Sequence, residues 1–178
     1  MSGNFVQRGE PAVFNKWVRT EMALKNGVDV ILELLVLYST QSAEIFAYGA
    51  VSILDSIGAD SIVFGSESEE LDYLKKIVEL ESDEDVKEQL DSCIKSEMKK
   101  GISYPNAFSN AVKEVFKLEN LLTPNNILGL EYLRSLKKIK SNTEVYSTTR
   151  KGAGFYSKEK FGNIASATAI REMIFNIL

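Results

Sequence analysis

A chain without histidine must do its chemistry with other groups. This sequence holds no histidine and one cysteine, with 21 lysines and arginines against 25 aspartates and glutamates. The count removes imidazole metal ligands, Ser-His-Asp triads and histidine general acids together. Any catalysis would rest on Lys, Arg, carboxylates and backbone amides. Cys93 has no histidine to activate it and reads as a helix-packing residue. No metal site is expected from these side chains.

Several positions could hold a nucleotide or an anion. Gly65 follows the apolar run Ser61–Phe64 and so falls at the carboxyl end of a strand. Ligands bind there in open α/β sheets, and a glycine lets them approach the backbone. Taken alone, Gly65 reads first as a simple chain turn. Ser166 or Thr168 can cap the first turn of a helix whose free amides attract phosphate oxygens, and Arg171 adds a guanidinium. The plain alternative is an ordinary capped amphipathic helix. Asn125 and Asn126 open another helix; they can bond a base or ribose, or equally satisfy local backbone. Lys16 and Arg19 lie three apart on one helix face near the N-terminal loop, facing an anionic substrate, RNA or only solvent. Arg150 follows a strand, beside Lys151, and by itself is a surface cation. The acidic run Glu67–Glu88 reads as a solvated helical face and argues against RNA there.

The elements that must position these residues alternate. Met1–Pro11 reads as a loop. Val13–Asn26 has helical spacing, with Gly27 as its stop. Asp29–Val36 is a β-branched and leucine run, read as a buried parallel strand. Ser42–Ile57 is a helix ended by Gly58, and Ser61–Phe64 a second buried strand. Two charge-rich helical stretches follow to Lys100, broken near Ser82-Asp83 and closed by Gly101. Helices are expected over Tyr104–Leu118 and Pro124–Lys138, a strand over Thr143–Ser147, a glycine-bearing loop at Lys151–Gly154 and a last helix over Ser166–Leu178. Helix, strand, helix, strand argues α/β with a parallel sheet. The 178 residues suit one domain, and 44% hydrophobic content gives it a core. The formal charge of −4 gives RNA binding no support beyond a local basic patch. No apolar run reaches a membrane span, and no signal pattern opens the chain. One cysteine allows no intrachain disulfide and fits a reducing cytoplasm.

Seven blocks in order resemble the tRNA(Met) cytidine acetate ligase family. They are MSGNFVQRGE (Met1–Glu10), KWVRTEMALKNGVDVILEL (Lys16–Leu34), YSTQSAEIFAYGAV (Tyr38–Val51), FGSE (Phe64–Glu67), PNNILGLEYL (Pro124–Leu133), RKGAGFYS (Arg150–Ser157) and SATAIRE (Ser166–Glu172). The resemblance implies an α/β Rossmann-like nucleotidyltransferase (HUP-type) with a parallel sheet, incomplete at the N-terminus, and inserted helices over about residues 68–140. It implies that acetate and ATP, with Mg2+, give acetyl-adenylate and pyrophosphate. The acetyl group then passes to N4 of the wobble cytidine of elongator tRNA(Met). ATP contacts are implied at Gly65, Asn125, Asn126, Arg150, Ser166, Thr168 and Arg171. Ser2, Gly3, Asn4, Lys16 and Arg19 become candidates for the substrate loop.

The sequence also departs from that family. Its His-x-Gly-His element is expected on a strand before Met1, and a second half, thought to help hold tRNA, beyond Leu178. Leu35 stands where proline is usual, Asn15 where aspartate is usual, and Tyr156-Ser157 where His-Asp is usual. The superfamily's sheet runs in the order 3-2-1-4-5, so two unpaired edges are expected, closed by rearrangement or by a partner subunit in a homo-oligomer. The expectation is a cytoplasmic segment that is inactive alone. The alternative is a non-catalytic nucleotide-binding or protein-interaction module.

Overall fold

The computed structural model describes residues 1–7, 9–66, 71–117, 123–149 and 167–176. Its elements are α1 (Lys16–Lys25), α2 (Val36–Ser39), α3 (Ala43–Ser56), β1 (Ser61–Ser66), α4 (Leu71–Leu80), α5 (Glu84–Lys99), α6 (Tyr104–Phe116), α7 (Pro124–Ile139), β2 (Glu144–Thr149) and α8 (Ala167–Phe175). This is a helix-rich α/β fold with a short parallel sheet. β1 and β2 pair in parallel, from Ser61 opposite Glu144 to Ser66 opposite Thr149. Parallel strands need a long crossover, and α4 to α7 supply it.

Helix starts follow the sequence chemistry. Thr123 accepts from the Asn126 amide and Pro124 takes the first helical position, where its missing N–H is no loss. Asp83 accepts from Asp85 and Val86 at the head of α5. Gly27, Gly58 and Gly101 follow α1, α3 and α5, as expected.

The main core gathers Leu74 and Ile77 of α4, Leu90 of α5, Phe108 of α6 and Leu130 of α7 beneath Phe64 of β1. A smaller cluster joins Val51 of α3, Ile62 of β1 and Leu136 of α7. Helices α3 and α7 thereby form the layer that covers one face of the sheet.

Two strand expectations change. Asp29–Val36 forms no strand: residues 28–33 are irregular, Leu34 makes one parallel bridge to Ser2, and α2 begins at Val36. The physical reason is the partner. Leu34 N–H donates to Met1 O at 2.8 Å and the terminal amine to Leu32 O at 2.7 Å, which is too short a ladder for a strand. β1 is also half buried rather than buried. Ile62, Phe64 and Ser66 face the core, while Val63 is 60% exposed opposite Tyr146 at 51%. Helix α1 forms within the expected stretch, buries no residue and leaves Trp17 exposed.

Candidate functional site

The carboxyl end of β1 meets the first turns of α7. Ser66 closes the strand with its side chain inside, and its hydroxyl donates to Asn126 Oδ1 at 2.9 Å. Both residues are fully buried. Asn126 shares a stripe with Leu130 and Leu133, at i, i+4 and i+7, so it belongs to the core-facing side of α7. One turn on, the helix backbone lies against the Phe64 ring. A Cβ on Gly129 would stand 2.4 Å from that ring, so only glycine permits this approach unchanged. These two contacts fix how α7 sits on β1.

Asn125 falls on a different face. It lines a cavity of about 460 Å3 with Gly65, Phe64 and Ile62 of β1, Val51 of α3 and Tyr132 of α7. Phe64 and Tyr132 meet at 5.9 Å between ring centroids, tilted by 54°. Burial pushes the Tyr132 hydroxyl above its usual range, so it stays protonated. An apolar, aromatic-walled slot with backbone at Gly65 and one amide side chain at Asn125 can take a planar heteroaromatic group. The adjacent asparagines therefore have separate surroundings: Asn125 lines space, and Asn126 is packed.

The N-terminal candidates also come together. Arg19 donates from Nη2 to Ser2 O at 2.9 Å and to Gly3 O, and from Nε to Phe14 O at 3.0 Å. Lys16 binds Glu33 at 2.7 Å, and its backbone N–H donates to Asn4 Oδ1 at 3.2 Å. Gly3 is pressed against the Glu33 carboxylate, which a Cβ would meet at 2.5 Å. Both cations are thus engaged by the protein itself. Their first task here is to shape the loop 2–4. Arg19 also lines a cavity of about 260 Å3 with Arg171 and Ile174 of α8 and Glu10, Pro11 and Phe14 of the loop. Glu10 sets a carboxylate beside the two guanidinium-bearing residues on this cavity.

The structure brings Gly65 and Asn125 to one cavity and Arg19 and Arg171 to another. Thr168 lies within α8; Arg150 and Ser166 lie outside the described residues. Sequence reasoning missed Ser66 and Tyr132 as site residues. The i, i+4, i+7 stripe of Asn126, Leu130 and Leu133 was the signal that could have separated the asparagines. Among the described residues no group of three or more His, Cys, Asp or Glu could hold a metal ion. No helix among them is long and apolar enough to cross a membrane.

A short parallel sheet crossed over by helices, with a cavity beside Gly65, fits the Rossmann-like α/β class. The chain belongs to the HIGH nucleotidyl transferase family, whose model matches residues 1–177. It is similar to the tRNA(Met) cytidine acetate ligase of a Thermoanaerobacter species, 48% identical over 98% of this chain and 44% of that protein. The ligase of Caldanaerobacter subterraneus is 49% identical over the same shares. Among solved structures, Thermotoga maritima TmcAL in its apo form I superposes with a TM-score of 0.85 at 41% identity, over 100% of this chain and 44% of that one. Form II of TmcAL, bound with alpha-thio ATP, gives 0.82 at 41% identity over 99% and 42%. The chain spans less than half the length of these relatives.

Proposed function

We propose that these residues form the ATP-binding part of a tRNA(Met) cytidine acetate ligase. In this reading the whole protein activates acetate as acetyl-adenylate and acetylates N4 of the wobble cytidine of elongator tRNA(Met). The observation that carries it is the near-complete coverage of the chain by ligases at 48% identity. The alpha-thio ATP complex of TmcAL, 41% identical to this chain, supports the nucleotide. Residues 1–178 are read as one nucleotidyltransferase unit with a helical insertion over about 68–140. The tRNA-modifying relatives and the single cysteine support a cytoplasmic setting.

The chain's residues are given these tasks. The cavity beside Gly65 takes the nucleotide, with the Gly65 backbone and the Asn125 amide as polar contacts. Asn126 holds α7 against Ser66, and the resemblance adds Arg150, Ser166, Thr168 and Arg171 around the phosphates. The loop Ser2-Gly3-Asn4, braced by Arg19 and Lys16, borders the substrate. Mg2+ would arrive on the phosphates of ATP and neutralise their charge. The chain supplies no imidazole, so it is expected to show no acetate-dependent ATP–pyrophosphate exchange by itself.

Calorimetric titration with ATP tests the nucleotide site. Asn125→Ala should weaken ATP about tenfold or more, with circular dichroism checking the fold, and Arg150→Ala should weaken it too. Unchanged affinity in Asn125→Ala would remove Asn125 from the site. Incubating the full-length ligase with acetate, ATP and tRNA(Met), then weighing the nucleosides, tests the reaction. Nucleotide binding without acetylcytidine in that assay would favour the non-catalytic reading.

A further inference from the structure

Residues 28–37, VDVILELLVL, have the composition of a strand but lack a strand's surroundings. Val30 is 68% exposed, and Leu35, Val36 and Leu37 are exposed beside it. No backbone N–H of residues 29–33 donates to another described residue. Open N–H groups beside bare apolar side chains are what a strand edge presents to a missing neighbour.

The contacts that do exist show where that neighbour lies. Met1 sits opposite Glu33. Its nitrogen donates to Leu32 O at 2.7 Å, and its carbonyl accepts from Leu34 N–H at 2.8 Å. One residue bonded to both neighbours of its opposite number is a rung of a parallel ladder. The parallel bridge between Ser2 and Leu34 keeps the same register. As a peptide N–H, the Met1 nitrogen would make the same bond. Followed backwards from Met1, the ladder runs beside Leu32, Ile31 and Val30. The second residue upstream of Met1 would accept from Leu32 N–H, and the fourth from Val30 N–H. Val30 and Leu32 share a face with the buried Leu34, so the added strand extends an apolar layer already begun.

Other occupants suit the stretch less well. Residues 28–37 hold Asp29 and Glu33 but no lysine or arginine, so RNA phosphate finds no cation there. A second copy of the chain loses translational freedom on pairing, which residues joined to Met1 have already lost.

We infer that in the longer ligase the polypeptide immediately upstream of Met1 is a strand, paired in parallel with residues 29–33 and covering Val30 and Leu32. The inference rests on the reading of this chain as part of such a ligase, since its relatives are more than twice as long.

Residue-resolved hydrogen exchange on the full-length ligase and on the 178-residue chain tests it. In the ligase the Val30 and Leu32 amides should exchange at least about a hundredfold more slowly than in the chain. The Ile31 and Glu33 amides point to the opposite edge and should slow by less than about tenfold. Equal rates at Val30 and Leu32 in the two proteins would overturn the inference. Protection of Ile31 and Glu33 in place of Val30 and Leu32 would overturn it too, because the neighbour would then lie on the other edge. Protection in the shorter chain that grows with its concentration would overturn it in favour of a second copy, and protection that appears only with added tRNA(Met) in favour of RNA. A ligase that acetylates tRNA(Met) while Val30 and Leu32 exchange freely sinks the inference and leaves the proposed function standing. Protection at both amides without acetylation does the reverse.

Discussion

Replacing Gly129 by alanine sets two effects of opposite sign against each other. An alanine in a helix interior is favoured over glycine by about 1 kcal/mol. Gly129 lies well inside the 16-residue helix α7, so this gain is available. Against it stands the Phe64 ring. The new Cβ would lie 2.4 Å from Phe64 Cε2 and 2.7 Å from Cζ. Carbon atoms in good contact sit about 3.5–4.0 Å apart, so roughly 1 Å of overlap must be relieved. Phe64 has little room to retreat, being 8% exposed and packed among Leu74, Leu130 and Tyr132. Overpacking of this kind costs about 1–3 kcal/mol. The net expectation is a destabilisation of about 0–2 kcal/mol after the propensity gain.

The sign can be reversed in a second background. Phe64→Leu removes the ring atoms in question and costs stability of its own. In that background Gly129→Ala should recover the helix gain and stabilise by up to about 1 kcal/mol. Urea unfolding followed by far-UV circular dichroism measures all four proteins, compared at equal slope. If Gly129→Ala is as stabilising with Phe64 present as without it, the close approach of α7 to β1 is refuted. The fixed helix phase that separates Asn125 from Asn126 would fall with it.

Three further outcomes follow from the same contacts. Ser66→Ala should cost about 1–3 kcal/mol in urea unfolding, because it removes a fully buried donor from Asn126 Oδ1; a cost below about 0.5 kcal/mol would mean the bond is not maintained. Arg19→Lys should speed hydrogen exchange at the Leu34 amide about tenfold, since one ammonium cannot hold the carbonyls of Ser2, Gly3 and Phe14 together; unchanged protection would show that Met1 and Leu34 pair without that brace. Lys100 first, then Asn110, hold the Glu97 carboxyl below the usual range. Its small contribution is present above the ordinary carboxylate pKa and is lost as pH falls through the depressed value. The melting temperature of Glu97→Gln should therefore change less on acidification than that of the parent.

Much of the fold was legible because its signals are local. Thr123-Pro124 announced α7, Asp83 announced α5, and Gly27, Gly58 and Gly101 closed their helices. The failures came where the outcome depends on something non-local. The run Asp29–Val36 has strand composition, but a ladder needs a second strand, and among the described residues Met1 and Ser2 alone pair with its backbone. β-Branched residues report which backbone a segment prefers, not whether a partner is present. The same holds for β1, where the apolar run suggested burial on both faces and the structure buries alternate residues.

The site divides along the same line. Residue types singled out Gly65 at a strand end and the asparagine pair at a helix start, the family resemblance implied a nucleotide at both, and the fold brings Gly65 and Asn125 to one cavity. What each asparagine does depends on helix phase, because consecutive residues of a helix point about 100° apart. That phase is set by Gly129 against Phe64 and by Leu130 and Leu133 in the core. Once it is fixed, Asn126 can only face Ser66, and Asn125 can only line the cavity. Lys16 and Arg19 follow the same logic. Their spacing announced a shared face, while Glu33 and the carbonyls of Ser2 and Gly3, distant in sequence, decided that the face would brace a loop. Chemistry was readable from composition; its assignment to single atoms required the contacts that only folding supplies.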